Sequence, residues 1–235
     1  HRAFELWNDF LPTVTPFFAM KANSHASVMD TVAEITTNVD CASEQEMQHA
    51  MSTLGTLENA IYSHPCKDID HLTFARDNGL PLTVVDSVEE VRKVKRYFPG
   101  ARMLCRIAVS NDHSRVVLGN KFGCSPAKLA EIVAEAEGMD LRGVSFHVGS
   151  ACENPDSFSE ALEQAHAALE CTGGNIVNIG GGFTMQNLQP VAEEIRGRLS
   201  PNTIYIAEPG RMMVENSFHL FIKIEARWNY SKISI

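Results

Sequence analysis

The sequence lacks the features of several protein classes. Its six cysteines are scattered, with no CxxC pair and no metal-like spacing, so we expect reduced thiols in a cytoplasmic protein and no metal site. Basic residues are outnumbered, with 20 Lys and Arg against 29 Asp and Glu, which argues against nucleic acid as the main partner. No apolar run approaches the ~20 residues of a membrane span, so no membrane partner is expected.

Further absences concern the organisation of the chain. It has no internal repeat and no low-complexity segment. No signal peptide is visible, but the chain opens on His1 rather than Met, so we expect a fragment, and a removed leader stays open. With 235 residues, 44% of them hydrophobic, the chain can bury the core of one large α/β domain or two small ones.

Short apolar or β-branched runs alternate with longer amphipathic runs along most of the chain. The predicted strands are residues 15–20, 38–43, 59–64, 81–86, 102–109, 141–150, 175–183 and 203–210. Helical patterns follow all but the last, several with Ser at the N-cap, and Gly55, Gly79 and Gly138 stand where a C-cap glycine belongs. Eight strand–helix units at this length are typical of a (β/α)8 TIM-type barrel, and a doubly wound open sheet is the alternative.

The polar residues favour the closed barrel. Polar or glycine-rich residues end most of the predicted strands, and a barrel collects these ends on one rim, where barrel enzymes keep their active sites. An open sheet would spread them along a line. We expect the barrel to occupy residues 1–212. Residues 213–235 are expected to begin a second, β-rich domain, because Phe218 to Trp228 alternates like a strand.

Three loops after predicted strands carry groups suited to an anion. Successive glycines in "IGGGF" offer bare N–H groups, "EPGR" adds a charged donor, and "SFHVGS" adds a hydroxyl. Each motif alone is more often a plain turn or a surface ion pair. The candidate anion ligands are Ser150, Gly180, Gly181, Gly182, Gly210 and Arg211.

Other polar residues complete a site in combination. Asp40 and Arg106 place charges in otherwise buried strands, which is rare without a partner. An amine, an imidazole, a carboxylate and an anion cradle together fit pyridoxal phosphate. Lys21 would hold the aldehyde as a Schiff base, its amine activated by desolvation beside other cations. Glu208 would keep the pyridine nitrogen protonated, and His147 would lie on the ring face.

A set of motifs extends this interpretation from residue 13 to about residue 225. They are "PFFAMKAN", "VDCAS", "HPCK", "KFG", "GVSFHVGS", "IGGGF" and "EPGR". As a set they resemble the eukaryotic-type ornithine decarboxylases, which are barrel-type (fold III) pyridoxal phosphate enzymes. The resemblance implies a cofactor site made of Lys21, Asp40, Arg106, His147, Ser150, Gly180, Gly181, Gly182, Glu208, Gly210 and Arg211, with Lys21 and His147 catalytic. Ala22 departs from the family's usual Cys but matches relatives such as diaminopimelate decarboxylase.

The same resemblance implies a function. The expected reaction is decarboxylation of L-ornithine to putrescine in polyamine biosynthesis. A lysine, arginine or diaminopimelate decarboxylase stays open as an alternative. In this family the length of the substrate is recognised mainly by a C-terminal β-domain, most of which lies beyond the present sequence. A catalytically inactive regulator of the antizyme-inhibitor type is the second alternative. Retention of the cofactor residues favours the enzyme.

Partners also follow from the resemblance. The family forms a homodimer with a shared active site, completed by a C-terminal β-domain with a catalytic Cys and a substrate-binding Asp. This chain ends before those residues, so by itself it is expected to have low activity. Antizyme is an expected partner at residues 69–95, including Arg76, Lys93 and Lys95.

Overall fold

The computed structural model describes residues 1–110, 112–116, 121–219 and 221–224. Its strands are β1 (Val14–Pro16), β2 (Phe18–Ala19), β3 (Val39–Cys41), β4 (Ala60–Tyr62), β5 (Leu82–Val85), β6 (Arg102–Arg106), β7 (Ser114–Val116), β8 (Asp140–Ser145), β9 (Ser150–Cys152), β10 (Ile176–Asn178) and β11 (Ile204–Ala207). Its helices are α1 (Arg2–Phe10), α2 (Ala26–Ala33), α3 (Glu44–Leu54), α4 (Ile69–Asp77), α5 (Val88–Tyr97), α6 (Pro126–Glu135), α7 (Asp156–Thr172), α8 (Leu188–Arg196) and α9 (Arg211–Val214). A 3-10 turn spans Met20–Ala22.

The parallel sheet closes on itself. Its order is β1-β11-β10-β8-β6-β5-β4-β3-β2, while β7 and β9 form a separate antiparallel pair. β1 and β2 are consecutive segments of one stretch, and they pair at opposite edges of the sheet. Val14 lies opposite Tyr205, and Phe18 lies opposite Val39. The sheet is therefore a nearly closed barrel, which confirms the TIM-type prediction over the open sheet.

The first helix takes the place of an eighth barrel helix. Helix α1 packs against α8 and α9, and Arg196 at the end of α8 donates to the carbonyl of Phe10 at 2.8 Å. Trp7 is fully buried and its Nε1 donates to the carbonyl of Val14 at 2.7 Å, which ties α1 to the first strand. The sequence patterns did not predict α1. In the described residues after β11, the single turn of α9 is the one helix.

Caps fix where several helices begin and end. Ser43, Ser87 and Ser125 each accept a backbone N–H at the start of α3, α5 and α6, as predicted. Gly55 ends α3 with a φ of 76°, in the left-handed region that favours glycine. Each cap satisfies a backbone group that would otherwise be left unpaired at a helix end.

The core has two layers. Inside the barrel, Ile61, Val84, Leu104 and Ile206 pack against one another. A larger apolar cluster fills the space between the strands and the ring of helices. Burying each large apolar side chain contributes roughly 1.5–3 kcal/mol. Because the barrel interior is packed, a ligand site has to lie at a barrel mouth, where the polar side chains gather.

The segment after α9 is described only in part. Residues 217–219 and 221–224 have no regular secondary structure, and Phe221 is 90% exposed. The predicted strand from Phe218 to Trp228 falls on these residues and on positions 220 and 225–228, which lie outside the described residues. The boundary of a second domain at residue 213 stays a prediction.

The cysteines are free thiols. All six lie among the described residues, and the sulfurs of Cys105 and Cys124 are 3.6 Å apart in the core. Of the helices in the described part of the chain, none combines the length and the apolar character that crossing a membrane requires. In the same part of the chain, no group of three or more His, Cys, Asp or Glu side chains is placed to hold a metal ion.

Candidate active site

A cavity of about 640 Å³ lies at the carboxyl ends of the barrel strands. Most of the predicted site residues line it: Lys21, Arg106, His147, Ser150, Gly181, Gly182, Glu208, Gly210 and Arg211. Asp40 and Gly180 are bonded to lining residues, Asp40 to the amine of Lys21 and Gly180 to the backbone N–H of Glu208. The barrel therefore brings all of these residues into one place.

Lys21 and Asp40 form an ion pair at one side of the cavity. Lys21 lies in the 3-10 turn after β2, and its Nζ is 2.8 Å from Oδ2 of Asp40 in the neighbouring strand β3. Asp40 is buried, whereas 49% of the Lys21 side chain is exposed. The other carboxylate oxygen, Oδ1, is buried without a hydrogen-bond partner. A buried orphan acceptor beside a reactive amine is a feature of functional sites rather than of a packed core.

The protonation of Lys21 is the opposite of what the sequence led us to expect. Enclosure by protein lowers the pKa of the amine, but the negative charges of Asp40 and Glu208 raise it by more, so the net pKa is above that of an ordinary lysine. The prediction that desolvation beside other cations activates Lys21 is therefore wrong for this state. The nearby carboxylates dominate, and Lys21 is an ammonium at neutral pH.

Glu208 is a buried carboxylate with two donors on one oxygen. Ser63 Oγ and Asn178 Nδ2 each donate to Oε1 at 2.6 Å. Burial and the charge of Asp40 raise the pKa of Glu208. Lys21 and the two donors lower it, but the net pKa stays above the ordinary glutamate value. Ser63 and Asn178 were missed from the sequence; Ser63 lies near the end of a predicted strand, whereas Asn178 lies within the predicted strand 175–183 and ends the shorter observed strand β10.

His147 is a neutral imidazole packed against the glycine loop. Its Nδ1 accepts the N–H of Gly149 at 2.9 Å, which assigns the ring proton to Nε2. Burial, followed by the positive charges of Arg106 and Lys21, lowers the pKa of His147 well below its usual value. A Cβ at Gly181 would lie 2.9 Å from Nε2. The ring and the loop backbone are therefore in direct contact.

The glycine loop has a conformation that only glycine accepts. Gly180 has a φ of 65° and Gly182 a φ of 108°. A Cβ at Gly180 would lie 2.3 Å from the carbonyl oxygen of Phe146, and one at Gly182 would lie 2.8 Å from that of Gly149. These bare backbone positions lie beside the cavity, as in an anion-binding nest.

Ser150 and Arg211 complete this anion cradle. Arg211 donates from Nε and Nη2 to Ser150 Oγ at 3.3 and 3.2 Å. Both residues line the same cavity as Gly181 and Gly182. A guanidinium, a hydroxyl and a bare backbone at one end of a cavity match the geometry and charge of a phosphate group.

Asn187 supports the cradle from behind. Its Nδ2 donates to the carbonyls of Cys152 at 2.8 Å and Gly182 at 2.9 Å. Its Oδ1 accepts the N–H of Thr184 at 2.7 Å. One buried amide thus joins β9 to the glycine loop and to the start of α8. No sequence motif indicated Asn187.

Arg106 is held against an aromatic ring at the cavity wall. Its guanidinium carbon lies 5.0 Å from the ring centroid of Phe122, and Phe122 in turn contacts the ring of His64 edge-on at 5.8 Å. Burial lowers the pKa of Arg106, partly offset by the charges of Glu208 and Asp86. The arginine keeps its charge because guanidinium groups do not deprotonate in proteins. Phe122 belongs to the "KFG" motif, to which no role was assigned.

The basic residues predicted to bind antizyme do not line the cavity. Lys93 donates to Glu90 Oε2 at 2.7 Å and to the carbonyl of Lys67 at 2.6 Å, and 26% of its side chain is exposed. Arg76 pairs with Asp77 at 2.7 Å. Arg76 also donates to the carbonyl of Tyr97 at 3.0 Å, so both residues are engaged within the protein, and they differ only in exposure, 41% for the Arg76 side chain against 26% for that of Lys93.

Comparison with known proteins defines the family. Residues 1–215 match the family described as "Pyridoxal-dependent decarboxylase, pyridoxal binding domain". The chain belongs to this family. The resemblance inferred from the motifs is thereby confirmed.

Individual relatives agree with the family match. Ornithine decarboxylase of Schizosaccharomyces pombe is 32% identical over 238 residues, covering 97% of this chain and 55% of that protein. Antizyme inhibitor 2 of Xenopus laevis is 33% identical, covering 92% of this chain and 52% of that protein. The arginine decarboxylase structure of Paramecium bursaria Chlorella virus superposes with a TM-score of 0.86 at 30% identity, covering 90% of this chain and 61% of that one. The chain spans about half the length of the curated relatives it matches.

Proposed function

We propose that this chain is the cofactor-binding barrel of a pyridoxal phosphate-dependent enzyme that decarboxylates L-ornithine to putrescine. One observation carries the proposal: an amine, a buried carboxylate and an anion cradle line a single cavity in a member of the pyridoxal-dependent decarboxylase family. The combination matches the three functional groups of the cofactor, which are an aldehyde, a pyridine nitrogen and a phosphate.

The residues of the cavity fit pyridoxal 5′-phosphate. The volume falls within the ~300–1,000 Å³ that is usual for small-molecule sites. Bare glycines leave room that a Cβ would fill. The residues that would hold the phosphate are Ser150, Gly181, Gly182, Gly210 and Arg211, while Gly180, whose N–H is donated to Asn178, would shape the loop. Lys21 would hold the aldehyde carbon, Glu208 the pyridine nitrogen, and His147 the ring face.

The chemistry of the bound cofactor is an electron sink for the electron pair left behind when carbon dioxide departs. The protein's residues prepare this step. Asp40 lies 2.8 Å from the ammonium of Lys21 and orients it by an ion pair, so the amine has to lose its proton to solvent before it can bind a carbonyl carbon. Glu208, buried and fixed by two donors, would keep a proton on a pyridine nitrogen. Neutral His147 would pack on the cofactor's ring face without adding charge.

Two alternatives are kept distinct from the proposal. The regulator alternative has a relative of similar identity, antizyme inhibitor 2, so overall similarity does not separate the two functions. The intact set of cofactor residues favours the enzyme. The substrate alternatives also have a relative, the viral arginine decarboxylase. L-Ornithine is proposed because "HPCK" and "FHVGSACENPDSF" resemble the ornithine enzymes.

The partners are part of the same proposal. We propose a cytoplasmic homodimer with an active site shared between subunits and completed by a C-terminal domain. The twofold greater length of the relatives supports a further domain. Antizyme is proposed as a partner of residues 69–95, including Arg76, Lys93 and Lys95.

The decisive experiment measures carbon dioxide release with L-ornithine, L-lysine and L-arginine. It compares this chain with a chain extended through the next ~150 residues, a typical domain length. We expect the extended protein to prefer L-ornithine and the short chain to be nearly inactive. Preference for L-arginine or L-lysine would correct the substrate. An extended protein that captures antizyme but releases no carbon dioxide would establish the regulator instead. Full activity of the short chain would show that its site needs no second domain.

A further inference from the structure

Asn178 joins the two ends of the cavity. It lies at the end of β10, where it is fully buried. Its Oδ1 accepts the backbone N–H of Gly180 at 2.9 Å, and its Nδ2 donates to Oε1 of Glu208 at 2.6 Å. One side chain therefore contacts both the glycine loop and the buried carboxylate.

The orientation of this amide is fixed by its partners. The N–H of Gly180 can only donate, and an ionised Glu208 can only accept. Turning the amide over would place a donor against a donor and an acceptor against an acceptor. The side chain thus has one arrangement that satisfies both neighbours, and this arrangement relates the position of the loop to the position of the carboxylate.

We propose that Asn178 is a positioning residue that couples the anion cradle to the carboxylate of Glu208. The inference rests on the proposed function, because it assigns the two coupled groups to the phosphate and the ring nitrogen of one cofactor. A displacement of the glycine loop by an anion would move the donor on Glu208, and a change in the charge of Glu208 would pull on the loop. The backbone bond from the N–H of Glu208 to the carbonyl of Gly180, at 2.7 Å, keeps the two segments adjacent.

Two other polar residues each form a hydrogen bond to only one of the two groups, the glycine loop or Glu208. Ser63 donates to Glu208 without touching the loop. Asn187 bonds the carbonyl of Gly182 without touching Glu208. They provide matched controls for Asn178. If coupling is its role, Asn178→Ala changes both ends, Ser63→Ala changes only the carboxylate, and Asn187→Ala changes only the cradle.

Other charges also act on Glu208. Asp40 on β3 is a like charge, while Lys21 after β2 and Arg106 on β6 are opposite charges. Because these residues are retained in all three variants, the difference between variants reports the hydrogen bonds alone.

The test uses the cofactor-free chain and two readouts. Stabilisation of the thermal midpoint by inorganic phosphate reports the cradle. Titration of the Glu208 carboxyl carbon by NMR, in protein labelled with ¹³C-glutamate and assigned with Glu208→Gln, reports the carboxylate. In Asn178→Ala we expect phosphate to bind about three- to tenfold more weakly, the change that loss of one hydrogen bond predicts. In the same variant we expect Glu208 to titrate at higher pH.

Selective outcomes would overturn the proposal. If Asn178→Ala changed only one readout, as Ser63→Ala or Asn187→Ala does, Asn178 would not couple the two ends. Asn178→Asp is the second variant, because aspartate has the same shape as asparagine and keeps the acceptor for Gly180. This variant should raise the pH at which Glu208 titrates. An unchanged titration pH would contradict the role of Asn178. A wild-type chain that inorganic phosphate does not stabilise would contradict the proposed cofactor site itself.

Discussion

The Nζ of Lys21 lies 2.8 Å from Oδ2 of Asp40, so the reactive amine is stored as an ammonium in an ion pair. The ion pair compensates the charge of Asp40, which is buried and would otherwise be an isolated charge in the protein. The negative charge of Asp40 raises the pKa of the amine. Asp40 therefore keeps the nucleophile protonated and opposes its release.

Lys21→Ala should abolish the adduct with pyridoxal phosphate that borohydride reduces, while the fold is kept. The reason is that, among the described residues that line the cavity, Lys21 supplies the amine that can bind the aldehyde. The measurement is the absorbance of the reduced adduct and mass spectrometry of a digest. Lys95→Ala on α5, outside the cavity lining, is the control and should label normally. A pyridoxyl group on another lysine of the wild-type chain would show the assignment to be wrong.

Asp40→Asn should shift adduct formation to lower pH. The charge of Asp40 raises the pKa of Lys21, so its removal lets the amine lose its proton at a lower pH. The measurement is the rate of adduct formation between pH 6 and 10, with Glu46→Gln, a neighbouring carboxylate change on α3, as the comparison. A profile that does not move, or moves upward, would mean that Asp40 does not control the protonation of Lys21.

Glu208→Gln should stabilise the cofactor-free chain at neutral pH, although it impairs function. The folded pKa of Glu208 is raised above the ordinary value of 4.5. At a pH between the unfolded pKa and the folded pKa, Glu208 binds more protons in the folded state than in the unfolded state. Its contribution to the free energy of unfolding therefore falls as pH rises. Glutamine keeps the acceptor for Ser63 and Asn178 but carries no charge.

The check is the free energy of unfolding of both proteins from pH 4.5 to pH 8. The advantage of Glu208→Gln should be small at the acid end and should grow with pH. In the extended protein the same variant should lose decarboxylation by about 10²–10³-fold, the usual value of one preorganised charge interaction. An advantage that shrinks as pH rises would contradict the raised pKa, and wild-type turnover would remove the role of Glu208.

Gly180→Ala and Gly181→Ala should impair different properties, the first the stability of the fold and the second the binding of pyridoxal phosphate. A Cβ at Gly180 meets the backbone oxygen of Phe146 at 2.3 Å, and its φ of 65° adds about 1–2 kcal/mol of strain. That variant should lose stability. A Cβ at Gly181 meets Nε2 of His147 at 2.9 Å, a side-chain atom that can move. That variant should fold but bind pyridoxal phosphate more weakly. Thermal midpoints and cofactor titrations separate the two, and the reverse pattern would refute the geometry.

The sequence was sufficient to predict the barrel and most of the cavity, for a physical reason. Parallel strands joined by helices place all their carboxyl ends on one rim, so polar residues at strand ends such as Lys21, His147 and Glu208 had to converge. The pKa of Lys21 could not be predicted in this way, because it depends on the distance to Asp40 across two strands.

Supporting residues were missed for a related reason. Ser63, Asn178 and Asn187 act through hydrogen bonds to residues that are distant in the sequence or in neighbouring loops, and a single polar residue in a strand or at a helix start has many ordinary explanations. Helix α1 was missed because its packing against α8 depends on closure of the barrel. Its buried Trp7 has meaning only once the first and last strands are adjacent.

The seam of the barrel, where β1 (Val14–Pro16) pairs with β11 (Ile204–Ala207), has a consequence for synthesis of the chain. The bond from Arg196 to the carbonyl of Phe10 joins residues 186 positions apart, and β1 has its partner only when β11 is present. At about 5–20 residues per second, a ribosome needs roughly 10–40 s to make the intervening segment. During that interval the edge of β1 and the apolar lining of the unclosed barrel face solvent, where other nascent chains can pair with them. Closure of this barrel therefore has to wait until its last strand has been translated, whatever the stability of the finished fold.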